Sequence, residues 1–143
     1  MELNSLYTQL ILEHNADKRN KRIIPDFTFE ERGHNPSCGD EITVQVKIED
    51  GVIEDLAYTG SGCAISQASA SMMIDLLQGK TVEEALETIE VFLGMIKREI
   101  NDMDYLEETL DEAFVLQNIS NLPARVKCAV LAWHTLKEAM NSK

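Results

Sequence analysis

Apolar residues recur first at helical spacing. Leu3, Leu6, Tyr7, Leu10 and Ile11 predict an amphipathic helix from residue 3 to about 14. Residues 41–49 then alternate strictly. Ile42, Val44, Val46 and Ile48 share one face, and Thr43, Gln45 and Lys47 the other, which predicts a half-buried strand. Asp50-Gly51 is a strong two-residue hairpin signal, and the returning strand, 52–59, places Ile53 and Ala57 toward the core. Counting outward from that turn pairs Glu49 with Val52, Ile48 with Ile53, Lys47 with Glu54, Val44 with Ala57 and finally Cys38 with Cys63. Opposed residues have Cβ atoms roughly 4.5–5.5 Å apart, so two thiols there can share a metal or form a disulfide. Asp40, two residues from Cys38, points to the same face. Asp55 falls opposite Val46 on the apolar side, which signals a bulge or an open edge.

After Gly62 the period returns to that of a helix, with Ile65, Ala68, Met72 and Leu76 in line and Gly79 as a C-cap. Cys63 therefore opens a helix, where free backbone N–H groups and the dipole favour an anionic sulfur. The small residues Ala64, Ser66, Ala68, Ser69, Ala70 and Ser71 permit close packing, the favoured reading, or line a shallow site. Thr81 and Glu84 form a capping box before an apolar stripe from Val82 to Ile96, a core helix. Residues 97–112 are acidic and read as a partly solvated insertion, in which Tyr105, Leu106, Leu110, Ala113 and Phe114 allow a further helix. Pro123 opens a final helix with Val126, Ala129, Val130, Trp133 and Met140 as its stripe and Leu136 on the flank. Cys128 projects roughly 200° around that helix from Val126, either toward a site or into a packing contact with Leu131 and Ala132 on its side. Between the first helix and the hairpin, residues 15–25 read as a basic, solvated connector, with a docking patch for an acidic partner surface as the sharper alternative. Residues 26–30 read as a short edge strand, and Gly33-His34-Asn35-Pro36 as a loop in which His34 is an ordinary loop histidine rather than the metal ligand that its place four residues from Cys38 would allow. His14 is expected to complement the dipole at the end of the first helix.

A chain of 143 residues, 44% hydrophobic and 27% charged, fits one domain spanning residues 1–143. No run reaches the roughly 18 apolar residues of a membrane span, and the N-terminus lacks a signal-peptide pattern, so the expectation is a cytoplasmic protein. A net charge of −12 disfavours nucleic acid and anionic membranes and points to proteins, metals or small cations as partners. Three cysteines in a reducing compartment raise metal binding or redox chemistry over disulfides; the alternative is buried free thiols packing as small hydrophobes.

Cys38, Asp40, Cys63 and Cys128 offer three soft sulfurs and one hard oxygen. Such a set suits tetrahedral zinc or the ligation of an iron–sulfur cluster. There is no CxxC pair, so spacing alone does not establish the site. The carboxylate is a more exchangeable ligand than a fourth cysteine, which suggests a centre built to open. Three thiolates and a carboxylate around a divalent ion leave a charge of about −2, and Arg125 and Lys127 either compensate it, hold a passing anionic sulfur species, or simply solvate the surface.

The segments NPSCGD, GSGCAISQASASMM and LPARVKCAVLAW, with SLYTQ at 5–9 and GKTVEEAL at 79–86, resemble the iron–sulfur cluster assembly scaffold family of the IscU/NifU N-terminal type, most closely its SufU branch. Lys127 stands where IscU-like proteins carry a histidine, and Leu-Pro-Ala-Arg-Val-Lys replaces their Pro-Pro-Val-Lys run. The long segment between Leu93 and Pro123 also looks like the SufU insertion, whereas residues 15–20 depart from the Asn-Pro-Arg-Asn run common in that branch. The resemblance implies an α+β fold: an N-terminal helix and a small three-stranded antiparallel sheet covered by about four to five helices. It implies zinc on Cys38, Asp40, Cys63 and Cys128, or alternatively a [2Fe–2S] cluster on the same residues. It implies a zinc-dependent sulfurtransferase role: Cys38 leaves the metal on docking, takes persulfide sulfur from a SufS-like, pyridoxal-phosphate cysteine desulfurase, and passes it to downstream assembly proteins. A reading from another class is a structural zinc module that serves only for docking.

Overall fold

The computed structural model describes residues 3–36 and 39–141. It is an α+β fold. Helix α1 (Leu3–Ala16) precedes strands β1 (Phe29–Asn35), β2 (Asp40–Glu49) and β3 (Val52–Ser61). Helices α2 (Ala64–Leu77), α3 (Val82–Ile96) and α4 (Met103–Leu110), a 3-10 segment (Asp111–Ile119) and helix α5 (Pro123–Asn141) follow. The sheet is antiparallel in the order β1-β2-β3, and α5 packs on β1, β2 and α2.

Asp50 and Gly51 both take positive φ, 53° and 77°, as a tight hairpin turn requires. The first pairs, Glu49–Val52 and Ile48–Ile53, are those counted from the turn. The ladder then shifts: Lys47 faces Asp55 rather than Glu54, and Val44 faces Tyr58 rather than Ala57. The bulge at Glu54 moves Leu56 and Tyr58 onto the core face opposite Val46 and Val44, and removes Asp55 from it. Burial of two large apolar side chains drives this shift. The shift also bears on Cys63, the expected partner of Cys38. The ladder closes at Glu41–Ser61, and Cys63 has already turned into the N-cap of α2. Cys38 itself lies outside the described residues.

Three other segments depart from expectation. The edge strand lies at 29–35, not 26–30, and takes in Gly33 and His34. Gly33 serves close packing rather than a turn, because a Cβ there would sit 2.0 Å from Thr135 Oγ1 of α5. The connector is not a free solvated loop. Lys21 forms a parallel bridge with Tyr58 on the open edge of β3, Asn20 and Ile24 are buried, and the Ile24 N–H donates to Gln45 Oε1 at 2.7 Å. The insertion exposes Met103 and Tyr105, yet it buries Leu106, Leu110, Ala113, Val115, Leu116 and Ile119 in the core.

The capping box of α3 forms as predicted, with Glu84 N donating to Thr81 Oγ1 and Thr81 N to Glu84 Oε1. On α5 the buried face runs through Cys128, Ala129, Ala132, Trp133, Leu136 and Met140, so Cys128 belongs to it, while Val126 and Val130 are only half-buried. Trp133 stacks on Phe92 with ring centroids 3.8 Å apart and donates from Nε1 to Ser69 Oγ, which in turn donates to the Ala129 carbonyl. That link fixes α5 against α2 one residue from Cys128. No helix among the described residues is long and apolar enough to cross a membrane.

Candidate metal centre

Asp40 starts β2, Cys63 caps α2 and Cys128 lies in the first half of α5. Their donor atoms lie within 4.8 Å of one another. Three elements distant in sequence thus bring one oxygen and two sulfurs to a common point. Gly39, at φ 70°, takes the left-handed conformation immediately before Asp40.

Each donor is held by a specific local cause. Asp40 is fully buried, and its Oδ1 accepts from the Cys63 backbone N–H at 2.9 Å. Its Oδ2 is buried with no hydrogen-bond partner among the described residues. A buried carboxylate oxygen left unpaired is costly, and a cation is the ligand that relieves it. Cys63 Sγ accepts from the Ser66 N–H at 3.4 Å, as an N-cap oxygen would, and the Ser66 hydroxyl returns to the Cys63 carbonyl. Cys128 is 4% exposed, and its thiol donates to the Ala124 carbonyl. The absence of a side chain at Gly62 is required: a Cβ would meet Ser66 Oγ at 2.5 Å and Asp40 Oδ1 at 2.6 Å. An oxygen and two sulfurs with one open oxygen lone pair fit zinc or iron, with room for a further ligand.

The centre opens to a shallow groove of about 400 Å³ lined by Cys63, Ala64, Ile65, Ala124, Arg125 and Cys128. Arg125 is therefore at the site, while Lys127 is exposed and takes no part in the groove wall. Tyr7, from α1, joins this rim. Burial raises its phenol above the ordinary value, and the hydrogen-bonded Arg125 guanidinium pulls the other way. His34 is exposed on β1 opposite Glu41 and does not belong to the described donor cluster. Sequence reading missed Tyr7 and Gly62, and weighed Ser66 only among the small residues that pack closely or line a shallow site. Ser66 carried a usable signal, lying three residues after an N-cap position.

A second cluster has the same compactness. Ring or carboxylate atoms of His14, Asp75 and Glu112 also lie within 4.8 Å of one another. His14 does not simply complement a helix dipole. It is 6% exposed, with Nδ1 at 2.8 Å from Ser71 Oγ and Nε2 at 2.8 Å from Glu112 Oε1, and so ties α1 to α2 and to the insertion. Asp75 is taken by Arg19 and Asn20.

A family model, the NifU-like N terminal domain, matches residues 6–129. A Thermotoga maritima protein named iron-sulfur cluster assembly scaffold protein IscU is 44% identical over 140 residues, covering 98% of this chain and 96% of that protein. The zinc-dependent sulfurtransferase SufU of Bacillus subtilis is 38% identical over 138 residues, covering 96% and 91%. The crystal structure of a putative iron-sulfur cluster assembly scaffold protein for the SUF system from Fervidobacterium islandicum superposes with a TM-score of 0.88 at 35% identity, over 96% of this chain and 98% of that one.

Proposed function

The chain belongs to the NifU-like N-terminal domain family, and from that premise we propose that it is an iron–sulfur cluster assembly protein acting as a zinc-dependent acceptor and relay of persulfide sulfur. Residues 1–143 act as one domain, in the cytoplasm, with a cysteine desulfurase and downstream assembly proteins as partners. The ligands are Cys38, Asp40, Cys63 and Cys128. The observation that carries this reading is a fully buried Asp40 carboxylate that lies within 4.8 Å of the Cys63 and Cys128 sulfurs and keeps Oδ2 without a partner among the described residues.

Bound zinc supplies Lewis acidity that keeps its sulfur ligands anionic. The rest is the work of the chain. The Cys63 N–H holds Asp40 Oδ1 and so restrains the carboxylate beside the two sulfurs. Arg125 places a positive charge on the groove wall through which an anionic persulfide approaches. The Cys38 thiolate attacks the terminal persulfide sulfur of the desulfurase. A new S–S bond forms on Cys38, the desulfurase S–S bond breaks, and its electron pair leaves with the desulfurase cysteine as thiolate, with no net oxidation. The test is a desulfurase turnover assay with this protein, with and without zinc, followed by mass analysis of each cysteine. Stimulation that depends on zinc, with added sulfur on Cys38, is expected. Stimulation retained by Cys38→Ser would favour a docking role instead.

The 44% identity to a protein named as a scaffold favours a second reading, in which a [2Fe–2S] cluster is assembled as cargo on the same residues. Anaerobic reconstitution that displaces zinc and yields a transferable, coloured cluster would establish it over the relay.

A further inference from the structure

Resting on the reading of Asp40 and Cys63 as metal ligands, we propose that Lys21 and Gln67 are positioning residues that orient the Asp40 carboxylate through a single peptide group. Lys21 Nζ donates to Gln67 Oε1 at 2.8 Å. Gln67 Nε2 donates to the Gly62 carbonyl at 3.0 Å. The N–H of that same peptide, on Cys63, donates to Asp40 Oδ1 at 2.9 Å. Every donor points the same way, from an ammonium group to a carboxylate. Hydrogen bonds in such a chain polarise one another, and inside a protein they do so with little screening.

The arrangement is built on both sides of the relay. Lys21 is the bridging residue that docks the connector on β3, flanked by the Tyr58 N–H donating to the Asn20 carbonyl and the Arg22 N–H donating to the Tyr58 carbonyl, each at 3.1 Å. Its neighbours Arg19 and Arg22 spend their charges on Asp17, Asp75 and Asp55. Lys21 has no carboxylate partner among the described residues, so its charge is delivered to Gln67. At the other end, the bare Gly62 Cα lets this peptide lie against Asp40. With Oδ1 committed to the Cys63 N–H, the carboxylate cannot rotate freely, and Oδ2 remains as the ligand. A group that holds a metal ligand from outside typically changes metal affinity by about 10–100-fold when lost.

The test compares Lys21→Met, Lys21→Arg, Gln67→Ala and Gln67→Glu with the wild type. Three measurements are made on the full chain: zinc affinity by chelator competition, the Cys63 amide proton shift in metal-free protein, and the thermal midpoint. Lys21→Met and Gln67→Ala are expected to weaken zinc about 10-fold and to move the Cys63 amide upfield, with Lys21→Arg restoring both. Gln67→Glu keeps the size and the contact with Lys21 but cannot donate to Gly62, and is expected to behave as Gln67→Ala. Zinc affinity in Lys21→Met and Gln67→Glu within twofold of wild type, or an unmoved amide shift, would overturn the proposal. If the wild type takes up no zinc, the ligand reading fails on its own, and the metal-free amide shift alone then decides whether Lys21 reaches Asp40.

Discussion

Asp40, Cys63 and Cys128 form one cluster of possible metal donors, and His14, Asp75 and Glu112 form another, each closed within 4.8 Å. In the second, both imidazole nitrogens are engaged, by Ser71 and Glu112, and Asp75 is held by Arg19 and Asn20. The protein supplies its own cations and donors there, so the cluster is a joint between helices. In the first, a fully buried carboxylate keeps one oxygen unpaired among the described residues, and the Cys63 and Cys128 sulfurs lie close to it beside an open groove. Proximity of donors is thus common to both. What separates a binding centre from a structural joint is unused donor capacity that burial makes costly.

The largest effect that tests this contrast is Asp40→Ala. It is expected to lower zinc affinity by roughly 100-fold or more, beyond the loss of a supporting partner. Asp75→Ala is expected to leave zinc content at the wild-type level. Zinc content by elemental analysis and chelator competition checks both, and equal losses in the two variants would erase the distinction. Gly62→Ala comes next. Its Cβ would crowd Asp40 Oδ1 at 2.6 Å, so zinc should weaken about 10-fold while the far-ultraviolet circular dichroism is unchanged.

His14→Ala probes the joint from the other direction. It leaves Ser71 and Glu112 without their shared partner and opens a void, and should cost about 2–3 kcal/mol in urea unfolding with zinc content unchanged. A loss of zinc in that variant would make the second cluster part of the centre. The smallest effect concerns the connector. The hydrogen bond and charge of Arg22 hold the Asp55 carboxyl below its ordinary value of 3.8. Its contribution to stability is therefore full above the unfolded pKa and fades as pH falls through the lower, folded one. Arg22→Ala should cost under about 1 kcal/mol near neutrality, and the gap to wild type should close as pH falls below the ordinary carboxyl value of 3.8, read by urea midpoints across pH.

Much of this molecule was legible because its causes are local. Helical and alternating periods, the Asp50-Gly51 turn, the Thr81–Glu84 box and the N-cap place of Cys63 each depend on residues a few positions apart. Those signals put α1, the hairpin, α2, α3 and α5 where they lie, and they brought Asp40, Cys63 and Cys128 into one set for consideration. The bulge at Glu54 was only half legible. Asp55 on an apolar face signalled an irregularity, but the gain from burying Leu56 and Tyr58 depends on helices from elsewhere in the chain.

Tertiary structure alone decided the rest, since the partners are far apart in sequence. The acidic insertion looked solvated because its polar face dominates its composition, yet its six buried apolar residues find a core built by α1, α2 and α3. His14 looked like a helix end until Ser71 and Glu112, 57 and 98 residues away, came within hydrogen-bond distance. Lys21 looked like one more surface charge. Only the docking of the connector on β3 brings it to Gln67, 46 residues on, and through one peptide to Asp40. Sequence by itself determined which residues can bind, cap and turn, because those are properties of residues and their near neighbours. The fold determined which donors are already satisfied, because that depends on every group that burial brings within about 3 Å.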